Sequence, residues 1–189
     1  LRRLDAGSWF DDRFAGERIP GLEEVLRLFA AHDRPVLLNI EIKASAWSSD
    51  PSGGVEEQVA ALVHEHRMGS RVLFSSFEWR CLRRLKEMDP RFALGVLAEP
   101  EADPAVVAAE ADRLGAASIH PCILDLRQGL PEPYAAFGGS LFPYTVPSPD
   151  VARAVLAAGA SGYFADLPYP ETGDSVDFPQ VAVKTDDDS

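Results

Sequence analysis

The chain has 189 residues, of which 46% are hydrophobic, so it is long enough for one domain with a buried core. Its net charge of −12, from 18 basic and 30 acidic residues, argues against nucleic acid as a partner and, more weakly, against anionic membrane surfaces, because both need clustered Lys and Arg. No apolar run approaches the roughly eighteen residues of a membrane-spanning helix, so no transmembrane segment is expected.

From residue 20 onward, apolar runs of strand length alternate with segments whose apolar residues recur at helical spacing. The predicted strands cover residues 35–43, 71–77, 92–98, 116–120, 140–146 and 161–166. The predicted helices cover residues 20–32, 55–67, 78–88, 104–114 and 149–158, with a short additional one at 131–137. This alternation predicts an α/β fold with a parallel sheet, and no linker divides the chain into two domains.

The first predicted strand contains the run VLLNIEIK at residues 36–43. Because successive side chains of a strand point to opposite faces, one face of this strand is entirely apolar. The other face begins with Leu37 and continues through Asn39 to Glu41 and Lys43. A strand buried on both faces stays hydrophobic throughout. The charged C-terminal end therefore predicts a polar site, or alternatively an ion pair that fills the interior of the fold.

Two architectures can carry such a sheet. A doubly wound open sheet has a Gly-rich phosphate-binding turn after an early strand, and the sequence contains none. A (β/α)8 TIM barrel places functional residues at the C-terminal ends of its strands. The chain has polar residues at these positions, namely Glu41, Lys43, Ser75, Ser76, His120, Thr145 and Asp166. We therefore predict a TIM barrel. Since a barrel needs eight strands and about 250 residues, only about six βα units are expected here.

Four stretches, in this order, resemble the glycerophosphodiester phosphodiesterase family. They are LDAGSWF…FAGERIPGLEEVL at 4–26, LNIEIK at 38–43, VLFSSF at 72–77 and GASGYFADLP at 159–168. The resemblance implies a TIM barrel of the phosphatidylinositol-phospholipase-C-like superfamily. It also implies hydrolysis of a small-molecule glycerophosphodiester to glycerol 3-phosphate and an alcohol, with a divalent metal, Ca²⁺ or Mg²⁺, as cofactor.

The resemblance also assigns roles to individual residues. Glu41 matches the family's metal-binding glutamate, and Lys43 matches the neighbouring lysine that faces the substrate phosphate. Ser75 matches a residue that shapes the site at the end of the fourth barrel strand, and His120 matches a common position in the sixth. Tyr144 stands where the family usually has Trp, so it can still provide a stacking wall for the glycerol group. These matches predict one metal ligand and four substrate-binding residues.

Three further positions complete this assignment. Pro147 stands where the family has Asn, so the hydrogen bonds of that Asn are lost, and Asp166 matches the Asp of the last-strand motif. Residues 43–54 (KASAWSSDPSGG) are predicted to form a loop after the first strand. Trp47 in this loop is predicted to form part of the mouth of the site and to contact substrate.

Several motifs of the family are absent. Its first strand ends in a His-Arg pair, its second carries Glu-x-Asp for the metal, and a second His follows, but the chain has none of these. The strands present would therefore be numbers three to eight, in a partial barrel domain at 1–170 followed by a partly disordered extension at 171–189. No catalytic residue is expected in the chain itself. The catalytic His pair is expected upstream of Leu1, and the chain alone is expected to be inactive.

Two other functions stay open. The chain can be a non-catalytic barrel relative that binds a phosphate ligand or a protein, or a sphingomyelinase-D-like phosphodiesterase that forms a cyclic phosphate. Its two cysteines, Cys81 and Cys122, are too few for a disulfide framework. They favour a reducing, cytoplasmic compartment, although a secreted or periplasmic location stays open, as does the oligomeric state.

Overall fold

The computed structural model describes residues 3–32, 36–50, 52–167 and 169. The predicted extension at 171–189 lies outside the described residues. Within them, five parallel strands form one sheet in the order in which they occur along the chain. The strands are β1 (Leu38–Glu41), β2 (Val72–Ser76), β3 (Ala93–Leu97), β4 (Ser118–His120) and β5 (Ser140–Leu141). The prediction of a parallel α/β fold is confirmed, with strands shorter than predicted.

The sixth predicted strand, at 161–166, is hydrogen-bonded to the sheet but does not form a regular ladder. Ser161 N–H donates to the Leu141 carbonyl at 2.9 Å, and Phe164 N–H donates to the Pro143 carbonyl at 2.8 Å. Proline has no N–H to donate, so the presence of Pro143 two residues after the end of β5 limits regular pairing in this region. The segment therefore continues the sheet beyond β5 as irregular extended chain.

Helices connect the strands, as the sequence predicts. They are α1 (Leu22–Ala30), α2 (Ala44–Ser49), α3 (Gly54–Glu65), α4 (Trp79–Met88), α5 (Pro104–Leu114), α6 (Glu132–Ala135) and α7 (Pro149–Ala157). The ends of α5 show why the sequence patterns succeed. Asp103 accepts a hydrogen bond from Ala105 N–H at the N-terminus, and Gly115 closes the C-terminus with φ of 57°. Both are standard helix boundaries.

The predicted loop at 43–54 is wrong in part, because α2 occupies Ala44–Ser49. This helix has six residues and no capping hydrogen bond from a side chain at its N-terminus. A helix this short is not stable from local propensity. Packing against the main core, through Ala46 and Trp47, stabilises it instead.

The order of the strands determines where the helices lie. Right-handed crossovers that always advance in the same direction place every helix on one face of the sheet. The outward side chains of the central strands are completely buried under these helices, among them Phe74, Leu94, Val96 and Ile119. A doubly wound sheet would carry helices on both faces. The arrangement is therefore that of part of a TIM barrel, with the other face of the sheet as the barrel interior.

The inner face of the sheet borders a cavity of about 800 Å³ toward the N-terminal ends of the strands. Its floor is largely apolar and includes Leu73, Ala93, Phe142 and Phe164. In a closed barrel, side chains from all strands fill this space. None of the described helices has both the length and the apolar character needed to cross a bilayer.

Candidate functional site

The C-terminal ends of the strands meet at one edge of the sheet. Glu41 ends β1 and lies directly across from Ser75 of β2 in the strand register. Ser76 fixes the end of β2, because its hydroxyl donates to the Ile42 carbonyl at 2.6 Å and accepts from Glu78 N–H at 3.0 Å. The topology therefore brings the polar ends of β1 and β2 together, as the barrel prediction requires.

Glu41 and Lys43 form an ion pair at this edge. Lys43 Nζ lies 2.8 Å from Glu41 Oε1, and the exposed fractions of the two side chains are 71% and 27%. Lys43 follows the last residue of β1 and is the N-cap residue of α2, with an extended backbone. The carboxylate is thus held near the interior while the ammonium group reaches solvent. The ion pair predicted as an alternative forms, but it does not fill the interior, because Lys43 is exposed. An exposed lysine can exchange its partner for another anion.

Ser75 lies on the inner face and is completely buried. Its hydroxyl has no hydrogen-bond partner among the described residues. It is the neighbour of Glu41 on one side and of Gly95 on the other in the strand register. Ser75 therefore lines the interior next to the Glu41 carboxylate, and its assignment to substrate binding stays a prediction.

His120 is buried in the interior, where three elements enclose its ring. Its Nε2 lies 2.8 Å from the Ser118 hydroxyl, and its ring contacts Phe142 and Phe164 at centroid distances of 5.7 and 4.9 Å. A Cβ atom at Gly95 would lie 2.6 Å from His120 Cε1, so only glycine leaves room for the ring. Burial lowers the pKa of His120 to about 3. His120 is therefore neutral and enclosed, and its predicted contact with substrate stays a prediction.

Tyr144 forms part of the wall near the same edge. Its hydroxyl donates a hydrogen bond of 2.6 Å to the Ala98 carbonyl just after β3, and its ring packs edge-on against Phe77 at a centroid distance of 5.7 Å. Burial raises the pKa of the Tyr144 phenol well above its ordinary value. The half-buried ring is therefore fixed in place as an apolar surface with its hydroxyl already paired.

Trp47 lies in the layer of helices. The guanidinium groups of Arg80 and Arg84, both on α4, lie 4.7 and 4.9 Å from the centre of its ring. These are cation–π distances. The ring connects α2 to α4, and a contact between Trp47 and substrate stays a prediction.

The described residues around Glu41 supply only part of a metal site. No group of three or more His, Cys, Asp or Glu side chains in the described part of the chain can hold a metal. Ca²⁺ takes six to eight oxygen ligands, and Mg²⁺ takes six. Glu41 can serve as one ligand of such an ion, but the described residues do not form the site by themselves. Asp166, at the end of the irregular sixth segment, is exposed.

Sequence reasoning missed two residues that shape this region, Gly95 and Ser118, and it named Phe77 in the site-shaping motif at 72–77 without its contact to Tyr144. Gly95 makes room for His120, Ser118 pairs with it, and Phe77 supports Tyr144. A glycine inside a predicted strand often marks a close approach of another group, and the spacing of Ser118 and His120 places them on one face of a strand. These two signals could have identified the pair, whereas the position of Phe77 beside Tyr144 depends on the tertiary structure.

Comparison with known proteins gives one consistent result. The model of the glycerophosphoryl diester phosphodiesterase family matches residues 1–169. A glycerophosphodiester phosphodiesterase of Caldanaerobacter subterraneus subsp. tengcongensis is 35% identical over 169 residues, which are 89% of this chain and 66% of that protein. The chain thus spans slightly less than two thirds of the length of this relative.

Solved structures agree with the fold. A glycerophosphodiester phosphodiesterase from Agrobacterium tumefaciens is 24% identical, with a TM-score of 0.67 over 87% of this chain and 66% of that chain. An Oleispira antarctica phosphodiesterase, solved in complex with the product sn-glycerol-3-phosphate, is also 24% identical, with a TM-score of 0.65 over 89% of this chain and 66% of that chain. At this level of identity, the likeness shows the shared fold.

Proposed function

The chain belongs to the glycerophosphoryl diester phosphodiesterase family, and on this premise we propose that it carries part of an active site that hydrolyses glycerophosphodiesters to glycerol 3-phosphate and an alcohol. The observation that carries the proposal is the pair of Glu41 and Lys43 at the C-terminal edge of the sheet. Functional residues of TIM-barrel enzymes lie at this edge.

The charges at this edge suit a phosphodiester. Lys43 carries an exposed ammonium group at the rim, and such a point charge stabilises a phosphate oxygen. Glu41 would supply one ligand to a divalent cation, which supplies electrostatic stabilisation of the charge that develops on the phosphoryl oxygens. Tyr144 and Phe77 would provide the apolar wall against which the carbon skeleton of the glycerol group rests.

We further propose that the chain needs additional residues for catalysis. Proton transfer in such a hydrolysis calls for an acid and a base near neutral pKa. His120 is enclosed in the interior, and His64 and His66 lie at the C-terminal end of α3. His32 follows the end of α1. In a βα unit the helices end at the N-terminal edge of the sheet, opposite Lys43, so His32, His64 and His66 do not supply the acid or base. His120 ends β4 but is completely buried, so it does not supply them either.

Two assays test this proposal. The chain alone, incubated with glycerophosphocholine and Ca²⁺ or Mg²⁺, should release no glycerol 3-phosphate. A chimera in which the first third of the Caldanaerobacter relative precedes Leu1 should release it. In the chimera, Glu41→Gln and Lys43→Met should each lower kcat/KM at least about 100-fold, in line with the loss of an electrostatic contact in the transition state. Glu87→Gln, an exposed change at the end of α4, is the matched control and should change kcat/KM less than about twofold.

Three results would contradict the proposal in different ways. Hydrolysis by the chain alone would show that it needs no further catalytic residues. A folded chimera without activity would favour a non-catalytic binding protein, in which Glu41 and Lys43 form a purely structural ion pair. A cyclic phosphate as the product would favour the sphingomyelinase-D-like alternative.

A further inference from the structure

The segment before α1 exposes three aromatic rings to solvent. We call residues 4–19 the aromatic loop. Trp9 is 82% exposed, Phe10 69% and Phe14 40%. The rings touch one another, with centroid distances of 5.7 Å between Trp9 and Phe10 and 5.8 Å between Phe10 and Phe14. Single exposed apolar residues are ordinary, but a contiguous aromatic patch marks an interaction surface.

The backbone of the aromatic loop is held in one conformation by Asp5. Its carboxylate accepts hydrogen bonds from the N–H groups of Gly7, Ser8 and Gly16, each at 2.9 Å, and from the Ser8 hydroxyl at 2.6 Å. These bonds hold the pKa of Asp5 far below its ordinary value. Gly7 packs so closely that a Cβ atom would lie 1.9 Å from the Phe14 carbonyl oxygen. The rings therefore project from a preorganised loop.

Most backbone N–H groups of the loop are paired within it. Ten backbone N–H groups donate hydrogen bonds to oxygen atoms within the loop. They belong to residues 6, 7, 8, 10, 11, 13, 14, 15, 16 and 17. The indole N–H of Trp9 donates to the Ala6 carbonyl at 2.8 Å. Entry of backbone into an apolar medium is costly when an N–H group is left without a partner. The backbone around the rings is therefore largely paired at a depth near the headgroups.

The topology places the aromatic loop beside the candidate site. The N-terminus of α1 follows the loop directly, and its C-terminus leads into β1. Because β1 begins at the N-terminal edge of the sheet, α1 begins at the opposite, C-terminal edge. Glu41 and Lys43 lie at that same edge. The rings therefore lie on the side of the molecule where substrate would enter.

The charges of the loop limit its partner. It contains four acidic residues and two arginines, and Arg13 forms an ion pair with Asp11 at 3.0 Å. With no excess of positive charge, it has nothing that would attract an anionic bilayer. Exposed Trp and Phe side chains bury favourably at the boundary between headgroups and acyl chains. We propose that the aromatic loop docks the protein on a zwitterionic phospholipid surface. This proposal concerns binding and is independent of hydrolysis.

Vesicle binding by the whole 189-residue chain tests the proposal. The chain should co-sediment with sucrose-loaded phosphatidylcholine vesicles, and the double variant Trp9→Ala/Phe10→Ala should bind at least tenfold more weakly. Val106→Ala removes an exposed apolar side chain from α5 and is the matched control, with binding within twofold of the unmodified chain. Brominated phosphatidylcholine should quench the fluorescence of the unmodified chain more strongly than that of Trp9→Phe.

Several outcomes would overturn the proposal. They are no binding at millimolar phosphatidylcholine, binding only to vesicles that contain phosphatidylserine, and equal loss of binding in the Val106→Ala control. Light scattering in the absence of lipid measures whether the chain forms a dimer, in which case a second copy and not a lipid surface would be the partner. A dimer that the double variant converts to a monomer, without vesicle binding, would assign the patch to self-association. Circular dichroism checks folding, and Trp9→Phe keeps the quenching test informative if the double variant unfolds.

Discussion

At the scale of single residues, the interior near the site depends on a small group around His120. Gly95 leaves room for the imidazole, Ser118 pairs with its Nε2, and Phe142 and Phe164 cover it. No described residue pairs with Nδ1. A charged imidazole in this setting would lose its hydration without gaining a counter-ion. The group therefore stabilises the fold only while His120 is neutral.

This leads to a pH-dependent stability. The unfolded chain binds a proton at His120 below about pH 6.5, whereas the folded chain does so only near a pKa of about 3. The stabilisation is fully present above about pH 6.5 and decreases as the pH falls toward 3. Around pH 5 the free energy of unfolding should fall by about 1.4 kcal/mol per pH unit because of this residue. Urea denaturation at pH 5.0 to 6.5 measures the slope.

His120→Gln provides the comparison for that slope. Glutamine does not titrate, so its curve should be flatter by the same amount between pH 5.0 and 6.5, whatever its absolute stability. Val106→Gln, an exposed change on α5 that removes no titratable group, should keep the slope of the unmodified chain. An unchanged slope in His120→Gln would show that His120 is not the group responsible.

At the scale of secondary-structure elements, α2 depends on α4. The six-residue helix packs on α4 through Trp47, whose ring lies under the guanidinium groups of Arg80 and Arg84. Lys43 is the N-cap residue of α2. The packing of α2 on α4 therefore also fixes the backbone that presents Lys43 at the rim of the candidate site.

Removal of the Trp47 ring should release α2. Trp47→Ala should lower the free energy of unfolding by about 2–3 kcal/mol, because it removes a half-buried aromatic ring and two cation–π contacts. Trp47→Phe keeps an aromatic ring in contact with the two arginines, so the free energy of unfolding should fall by about half as much. Trp9→Ala, a change at an exposed tryptophan, should stay within about 0.5 kcal/mol. Chemical denaturation compares the three, and an equal loss from Trp47→Ala and Trp9→Ala would contradict this role of the packing.

At the scale of the whole molecule, β1 forms an edge of the sheet with which no other described strand pairs. Among the described strands, β1 pairs only with β2. Ile42 N–H donates to the Ser75 carbonyl on that side. Since alternate N–H groups of a parallel strand point in opposite directions, the amides of Asn39 and Glu41 point toward the free edge. An unpaired strand edge is a site where another strand can add.

Hydrogen exchange measures whether this edge is open in solution. In the chain alone, the amides of Asn39 and Glu41 should exchange much faster than those of Ile40 and Ile42, because only the second pair is hydrogen-bonded to β2. The amides of β3, which has a strand on each side, serve as the control and should all be slow. Slow exchange at Asn39 and Glu41 would show that another segment or a second copy covers the edge.

The prediction succeeded where short-range patterns determine structure. Alternation in VLLNIEIK separated the apolar outer face from the face that carries Glu41, and Pro104 and Gly115 marked the ends of α5 within the sequence itself. These signals suffice because pleating and capping act between residues that are near one another along the chain. The order of six strand-like segments also sufficed for a parallel α/β fold.

The tertiary structure decided what depends on distant contacts. The sequence alone determined the parallel α/β rhythm and the polar end of β1, because these follow from local periodicity. It left open whether Glu41 and Lys43 form a polar site or an ion pair. It did not determine that α2 forms under Arg80 and Arg84, or that His120 lies over Gly95. Trp47 lies 33 and 37 residues from Arg80 and Arg84 along the chain, and Gly95 lies 25 residues from His120. Contacts over such separations are specified by packing and not by local propensity. Local propensity therefore set the elements, and packing between them set the site.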